Sequence, residues 1–418
     1  MTLRRLISGL RHARWLTQGR ITALGHMLLL IQLTILVMLA LWQHGIINAG
    51  RSATASDFVS FYAAGVQALE GTPALAYDQA AHFLAEQRFT VPDSPYQYFF
   101  YPPVFLLLCA PLALMPYFVA FYVFECATLL AFILTMRAIL RLPGWLWAGP
   151  VLAFPPVFWA FGLGQNTFLT AALFGWFTLL LERRPALAGA VLGMLCYKPH
   201  FGILVPAALA CAGYWRTFLA AGAAVGGLIG LSVLLFGIDT WHAYLTAFAA
   251  SDKIYATGKV DFAGMITPFG AARLLGIEQS GAYLTQTVFT AGMVVGVGLV
   301  WRRTTNPVSR NGVLLAATLL AVPVALLYDQ LVLMVAIGWM AREAKSHGFL
   351  PWEKTCLAAM YLTALLAYAI GSEWKLPLFP LISAALLGLA IRRSGWIPGT
   401  GRARNLPSNK LAMGANGS

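Results

Sequence analysis

The sequence predicts an all-α polytopic membrane protein, and three observations carry that prediction. Apolar side chains make up 59% of the 418 residues and charged ones only 10%, too apolar a mixture to hide in one soluble core. The apolar residues recur in long stretches of the length a helix needs to cross a hydrocarbon layer about 30 Å thick. Short Lys/Arg clusters separate these stretches, so the net charge of +13 points to membrane orientation and not to a nucleic-acid face. Cys109, Cys126, Cys196, Cys211 and Cys356 all lie in apolar sequence with no CxxC pair, which argues against a disulfide framework or a zinc site. One integral-membrane domain is expected over residues 1–418, with about 10–13 membrane helices, some short or re-entrant.

Residues 1–20 carry Arg4, Arg5, Arg11, Arg14 and Arg20. The apolar run behind them is too long for a signal-peptide core, so residues 26–47, between Arg20 and Arg51, are expected to be a retained first span with a cytoplasmic N-terminus. Residues 48–100 follow as a first outer loop with two surface helices, 57–70 and 78–88, divided by Gly71-Thr72-Pro73. The next apolar piece, 102–116, is short and interrupted by Pro111. Treating it as re-entrant keeps Arg137 and Arg141, beyond the span 118–136, on the inner side.

Spans are expected at 145–162 and 166–181, then two pieces, 186–197 and 201–213, separated by Lys198-Pro199-His200. A helix of about 12 residues rises only about 18 Å, so this pair forms a hairpin of incomplete or tilted helices. The remaining spans are 217–236, 284–301, 313–327, 328–341, 355–371 and 377–391, with a second outer loop at 237–283 and a cytoplasmic tail at 392–418. This topology places most of the 28 Lys and Arg residues inside. Asp57, Asp78, Asp93, Asp239, Asp252, Asp261 and Asp329 fall instead on the outer side or at its edge, so the candidate chemistry converges on one face.

Asp57, beside Phe58, Phe61 and Tyr62, is the candidate general base, because partial desolvation of a carboxylate raises its proton affinity. Against this stands a plain structural role in which Ser56 or Asp57 caps the following helix. Lys198 is costly in a bilayer, about 3 kcal/mol on insertion scales, and suits an anion such as a phosphate, with His200 as a second donor; a snorkelling or ion-paired lysine is the alternative. Asp329, in Tyr328-Asp329-Gln330, either pairs with Lys198, orients a neighbour, touches a ligand hydroxyl or marks a turn. Gln165 and Asn166, in a glycine-rich turn, offer amides to a polyhydroxylated ligand. Lys253, Lys259 and Arg273 could meet a phosphate or form a solvated rim. Tyr96, Tyr98, Phe99, Phe100 and Tyr101 make an aromatic belt suited to membrane anchoring or sugar stacking. No P-loop, GxSxG, HExxH or dinucleotide fingerprint occurs in a credible context, which leaves ATP-driven transport and metallopeptidase chemistry without support.

Asp57-Phe58 with Phe61-Tyr62-Ala63-Ala64-Gly65, then Tyr77-Asp78, Tyr101-Pro102-Pro103, Pro111 and Pro116, Gly164-Gln165-Asn166, Lys198-Pro199-His200 and Tyr328-Asp329 occur in an order that resembles glycosyltransferase family 87. These are polyprenol-phosphate-mannose-dependent mannosyltransferase-like enzymes of the GT-C superfamily, and the resemblance runs from about residue 20 to about residue 390. It implies a GT-C-type helix bundle and an inverting transferase. Such an enzyme moves a hexose such as mannose from a polyprenyl-phosphate donor to a hydroxyl of a lipid or glycan acceptor at the outer face. Asp57 would be the base; Lys198 and Arg273 would meet the donor phosphate; Asp329, His200, Gln165, Asn166, Tyr62 and Tyr101 would line the substrates. Glutamine is expected where His200 stands. The resemblance suggests no cofactor and a metal-independent reaction in a bacterial inner membrane. A flippase for a lipid-linked saccharide, or a glycan ligase or polymerase, is the competing expectation.

Overall fold

Long apolar runs become helices because a backbone without water must satisfy its own N–H and C=O groups. The computed structural model describes residues 3–43, 57–90, 94–256 and 260–394; Arg51, Ser56, Asp93, Lys259 and nearly all of the expected tail lie outside them. Among the described residues five helices are long and apolar enough to cross a membrane: Gln18–Leu41, Tyr117–Leu140, Trp215–Phe236, Gln279–Arg303 and Glu353–Trp374. Shorter helices, among them Pro155–Leu163, Thr167–Leu180, Pro185–Gly193, Pro307–Ala321, Leu331–His347 and Phe379–Arg393, pack between them. The described residues contain no strand, only one antiparallel bridge between Met265 and Leu326, so the protein is an all-α polytopic membrane protein.

The helices connect two chemically different ends. At one end Arg310 reaches Glu182 and the Tyr214 hydroxyl, Arg393 pairs with Glu353, and the Trp352 N–H donates to the Arg11 carbonyl at 2.6 Å. At the other, Asp252 accepts from the Tyr283 hydroxyl, Asp261 accepts from Tyr368, and Asp57 and Asp329 lie nearby.

Proline and glycine account for most departures from simple spans. The expected span 145–162 is split into Ala148–Leu152 and Pro155–Leu163, because a proline lacks the N–H to continue a helix and is suited to opening one. The expected pair 313–327 and 328–341 is Pro307–Ala321 and Leu331–His347. Between them Pro323 and an extended Leu326 lead into a 3-10 turn, Leu327–Gln330, and the Ala325 carbonyl accepts from Ile266. The 186–213 hairpin is likewise broken, with 3-10 turns Met194–Tyr197 and Pro199–Gly202 meeting at Lys198.

The 102–116 segment, expected to be re-entrant, forms a short turn and helix. Its Pro103–Phe105 turn and Leu106–Leu112 helix pack against Phe58–Leu69, and its Met115 carbonyl accepts from the Tyr62 hydroxyl at 2.7 Å before Pro116 opens Tyr117–Leu140. In the first loop the two helices form where expected, Phe58–Leu69 and Gln79–Gln87, the second capped by Asp78 accepting from the Ala81 N–H. The first does not lie on a surface: every residue from Phe58 to Gln67 is buried. Gly65 permits this, since a Cβ there would stand 2.2 Å from the Cys109 carbonyl oxygen. Gly65→Ala therefore forces two backbones apart and is expected to cost about 1–3 kcal/mol. A thermal melt in detergent checks it, and an unchanged midpoint would mean that the helices slide freely.

Candidate functional site

Asp57 sits at the entry to Phe58–Leu69, yet its side chain caps nothing. Its Oδ2 instead accepts from Gln165 Nε2 at 2.6 Å, across more than a hundred residues of sequence. The turn that delivers Gln165 requires glycine: Gly164 has φ +71°, and a Cβ on it would lie 2.6 Å from Phe58 Cβ. The Tyr101 hydroxyl faces Gln165 Oε1 at 3.5 Å, and the Tyr101 carbonyl accepts from the Tyr77 hydroxyl at 2.9 Å. With its oxygen turned to Tyr101, the Gln165 amide can offer only its N–H to Asp57. The half-buried Asp57 carboxylate feels two opposing influences: burial raises its pKa and the Gln165 hydrogen bond partly offsets the rise.

A second polar centre is built on Lys198, at the junction of the two 3-10 turns. Its Nζ donates to Asp329 Oδ1 at 2.9 Å, and both side chains are 5% exposed. Thr167 donates to the same oxygen at 3.2 Å, while Asp329 Oδ2 accepts from the Leu326 N–H at 3.1 Å. The rings of Phe201 and Tyr328 stand 5.4 and 5.8 Å from the ammonium, a cation–π setting that softens its desolvation. Tyr101 and Tyr328 are within electrostatic reach of both Asp57 and Asp329, so the two centres share one end of the bundle.

Two buried carboxamides adjoin this region with unused hydrogen-bonding capacity. Asn166 lies beside the Tyr101 hydroxyl without a well-formed bond, and among the described residues neither amide atom of Gln330 has a partner. Buried amides are normally satisfied by protein or ordered water, and these four buried atoms are ones whose hydrogen bonds the fold leaves incomplete.

The other sequence-predicted residues lie as follows. His200 is half-buried with its ring edge-on to Phe201, and no hydrogen bond holds that ring among the described residues. Tyr62 is engaged with the Met115 carbonyl and the Phe89 and Tyr117 rings. Arg273 lies on Pro268–Leu274, where its guanidinium donates to the Ile277 and Tyr255 carbonyls and stacks on Phe262, tied into the second loop. Lys253 is exposed. In the aromatic belt Phe99 is buried, while Tyr98 and Phe100 stack at 5.1 Å on the other side of the chain. Sequence reasoning did not single out Thr167 and Gln330, the direct neighbours of Asn166 and Asp329. His82 and Glu86 were also missed, although their i,i+4 spacing on Gln79–Gln87 was a visible signal.

Among the described residues no group of three or more His, Cys, Asp or Glu side chains is arranged to hold a metal ion. What the site does hold is a half-buried carboxylate oriented by an amide, close to a buried ammonium and buried amide groups, at one end of a helix bundle. The chain belongs to glycosyltransferase family 87, whose model matches residues 99–328. It is thus a membrane glycosyltransferase. The matched stretch contains Tyr101, Gln165, Asn166, Lys198, His200, Arg273 and Tyr328, whereas Asp57 and Asp329 lie outside it. No curated protein and no solved structure matches the chain.

Proposed function

We propose that the protein transfers a hexose such as mannose from a polyprenyl-phosphate donor to a hydroxyl of a lipid or glycan acceptor, with Asp57 as general base. The observation that carries this reading is the Asp57–Gln165 bond: the carboxylate is not spent on capping its helix. The acceptor O–H attacks the anomeric carbon and a new C–O bond forms. The bond from that carbon to the donor phosphate oxygen breaks with its electron pair, and Asp57 takes the acceptor proton. One displacement inverts the anomeric centre, leaving a glycoside and a polyprenyl phosphate.

Lys198 stabilises charge on the leaving phosphate, with His200 as a further donor to substrate; Arg273, bound to the carbonyls of its own loop, would reach the phosphate only by exchanging those bonds, and Asp329 holds the Lys198 ammonium in place. The spare groups of Asn166 and Gln330 suit sugar hydroxyls, which both donate and accept. Tyr62 and Tyr101 shape the acceptor side. The reaction is written without a cofactor or metal ion, at the periplasmic face of a bacterial inner membrane, with the chain termini in the cytoplasm. Broken helices at Lys198 give the donor head group a way in from the bilayer, where its apolar tail remains.

The test is turnover of synthetic polyprenyl-phosphate sugars by the purified protein, read as released lipid phosphate. Mannose-linked donor is expected to be consumed in the presence of a hydroxyl acceptor. Translocation of the lipid-linked sugar across liposomes without release of lipid phosphate would replace the transferase by a flippase.

A further inference from the structure

The first loop contains a buried polar cluster that the proposed reaction does not use. His82 and Glu86, one turn apart on Gln79–Gln87, are 0% and 2% exposed and lie between Phe58–Leu69 and the extended segment 94–101. Glu86 Oε2 accepts from the Gln97 N–H at 3.0 Å, and four residues further on comes Tyr101, which faces Gln165.

We propose that Glu86 is a positioning residue acting as a neutral latch: its protonated carboxyl holds the 94–101 segment onto Gln79–Gln87 and thereby sets Tyr101 against the Gln165–Asp57 pair. The proton is located by hydrogen-bond bookkeeping. Gln67 Nε2 donates to the Ala81 carbonyl at 3.4 Å, which turns Gln67 Oε1 toward His82 Nδ1 at 2.8 Å. A carbonyl oxygen only accepts, so Nδ1 carries a hydrogen; burial favours the neutral ring, and Nε2 then presents a lone pair. That lone pair meets the Ser60 hydroxyl at 3.3 Å, and Glu86 Oε1 stands 3.5 Å away with no hydrogen-bond donor among the described residues. An ionised carboxylate there would set two acceptors against each other in a buried place, whereas a protonated one donates.

The surroundings agree. Burial pushes Glu86 up to about 8, chiefly by desolvation, with the Gln97 N–H opposing and the Asp57 charge adding to the rise. Burial takes His82 down to about 4, so it is neutral near pH 7. The groups facing Glu86 are His82 on its own helix, Ser60 and Gln67 from Phe58–Leu69 with Asp57 at its entry, and Tyr96 and the Gln97 N–H from the segment; Asp78 heads the helix. The nearest guanidinium in sequence, Arg88, is exposed and engaged with Glu70 at 2.8 Å. Among the described residues no cation compensates Glu86, so ionising it leaves an unpaired buried charge and loosens the segment. A neutral Glu86 also adds no second negative charge beside Asp57, which favours an approaching phosphate.

The sign follows from the raised value. Stability from the protonated carboxyl is complete below the ordinary glutamate range, near 4.5, and is lost as pH rises through about 8. The full chain in detergent is therefore expected to melt several degrees lower at about pH 9.5 than at about pH 6.5. Glu86→Gln, which accepts from Gln97 and donates to His82 without titrating, is expected to remove that difference and keep turnover at neutral pH within about twofold. Glu86→Ala is expected to lower turnover about tenfold below about pH 8 by freeing Tyr101, and by less above it, where wild type has lost the latch. Infrared difference spectra of wild type between the two pH values should lose a protonated-carboxyl band, a reading that needs no variant to fold. A pH-independent wild-type melt without loss of that band, or a Glu86→Gln protein that still softens through about pH 8, overturns the latch. The turnover arm rests on the proposed transferase reaction. The melting and infrared arms do not, so an enzyme that consumes no lipid-linked sugar would remove that reading and leave the latch to be decided by them.

Discussion

Asp57→Asn is expected to abolish turnover of a lipid-linked sugar, by about 10²–10⁴-fold in kcat, while leaving the melting temperature within a few degrees of wild type. The reasoning is geometric. Asparagine is nearly isosteric and its Oδ1 can still accept from Gln165 Nε2, so the 2.6 Å contact and the packing around Phe58 survive. What disappears is the capacity to take a proton from the acceptor hydroxyl. The measurement is release of lipid phosphate from a synthetic donor, with a melt on the same sample. A variant that folds and keeps full activity would end the role of Asp57 as base.

A pH profile adds a second reading of the same group. Asp57 must be ionised to act, and burial raises its pKa, so activity is expected to fall on acidification at a pH above that usual for an exposed aspartate. Gln165→Leu removes the hydrogen bond that opposes this rise, and the acidic limb should move to higher pH. If instead the limb stays fixed in Gln165→Leu while activity falls, Gln165 serves the substrate and does not tune the base.

The helical, membrane-spanning character was legible because it is written in composition and in run length, which no tertiary contact can override in lipid. Positions of loop helices were legible too: Gly71-Thr72-Pro73 and Asp78 are local punctuation, and the chain obeys them at Phe58–Leu69 and Gln79–Gln87. Burial of Phe58–Leu69 was not, because it depends on Gly65 meeting a carbonyl from another segment. The same distinction divides the site. Lys198, Asp329 and Asp57 stood out as charges in apolar surroundings, where each needs a reason. Gln330 and Thr167 did not, since a buried amide or hydroxyl is unremarkable in sequence and acquires meaning only from its unused or completed bonds. Arg273 looked equally available in sequence, yet its guanidinium is tied to two carbonyls and an aromatic ring of its own loop.

Lys198→Ala is expected to cost about 3–5 kcal/mol of stability, because it leaves Asp329 buried at 5% exposure without its counter-charge. The penalty belongs to the stranded partner more than to the lost pair. Lys198→Met with Asp329→Asn should therefore recover much of the loss: an asparagine Oδ1 can still accept from Leu326 or Thr167, and methionine fills the space beside Phe201 and Tyr328 without a charge. Comparing both single variants with the double variant by melting isolates the coupling. Turnover then separates the two roles open to the lysine. If its ammonium meets the donor phosphate, the double variant regains stability and stays inactive, with the defect in kcat and in donor KM alike. If the pair only pins the Leu327–Gln330 turn to the Lys198 break, activity returns together with stability, and the phosphate must be met by another cation.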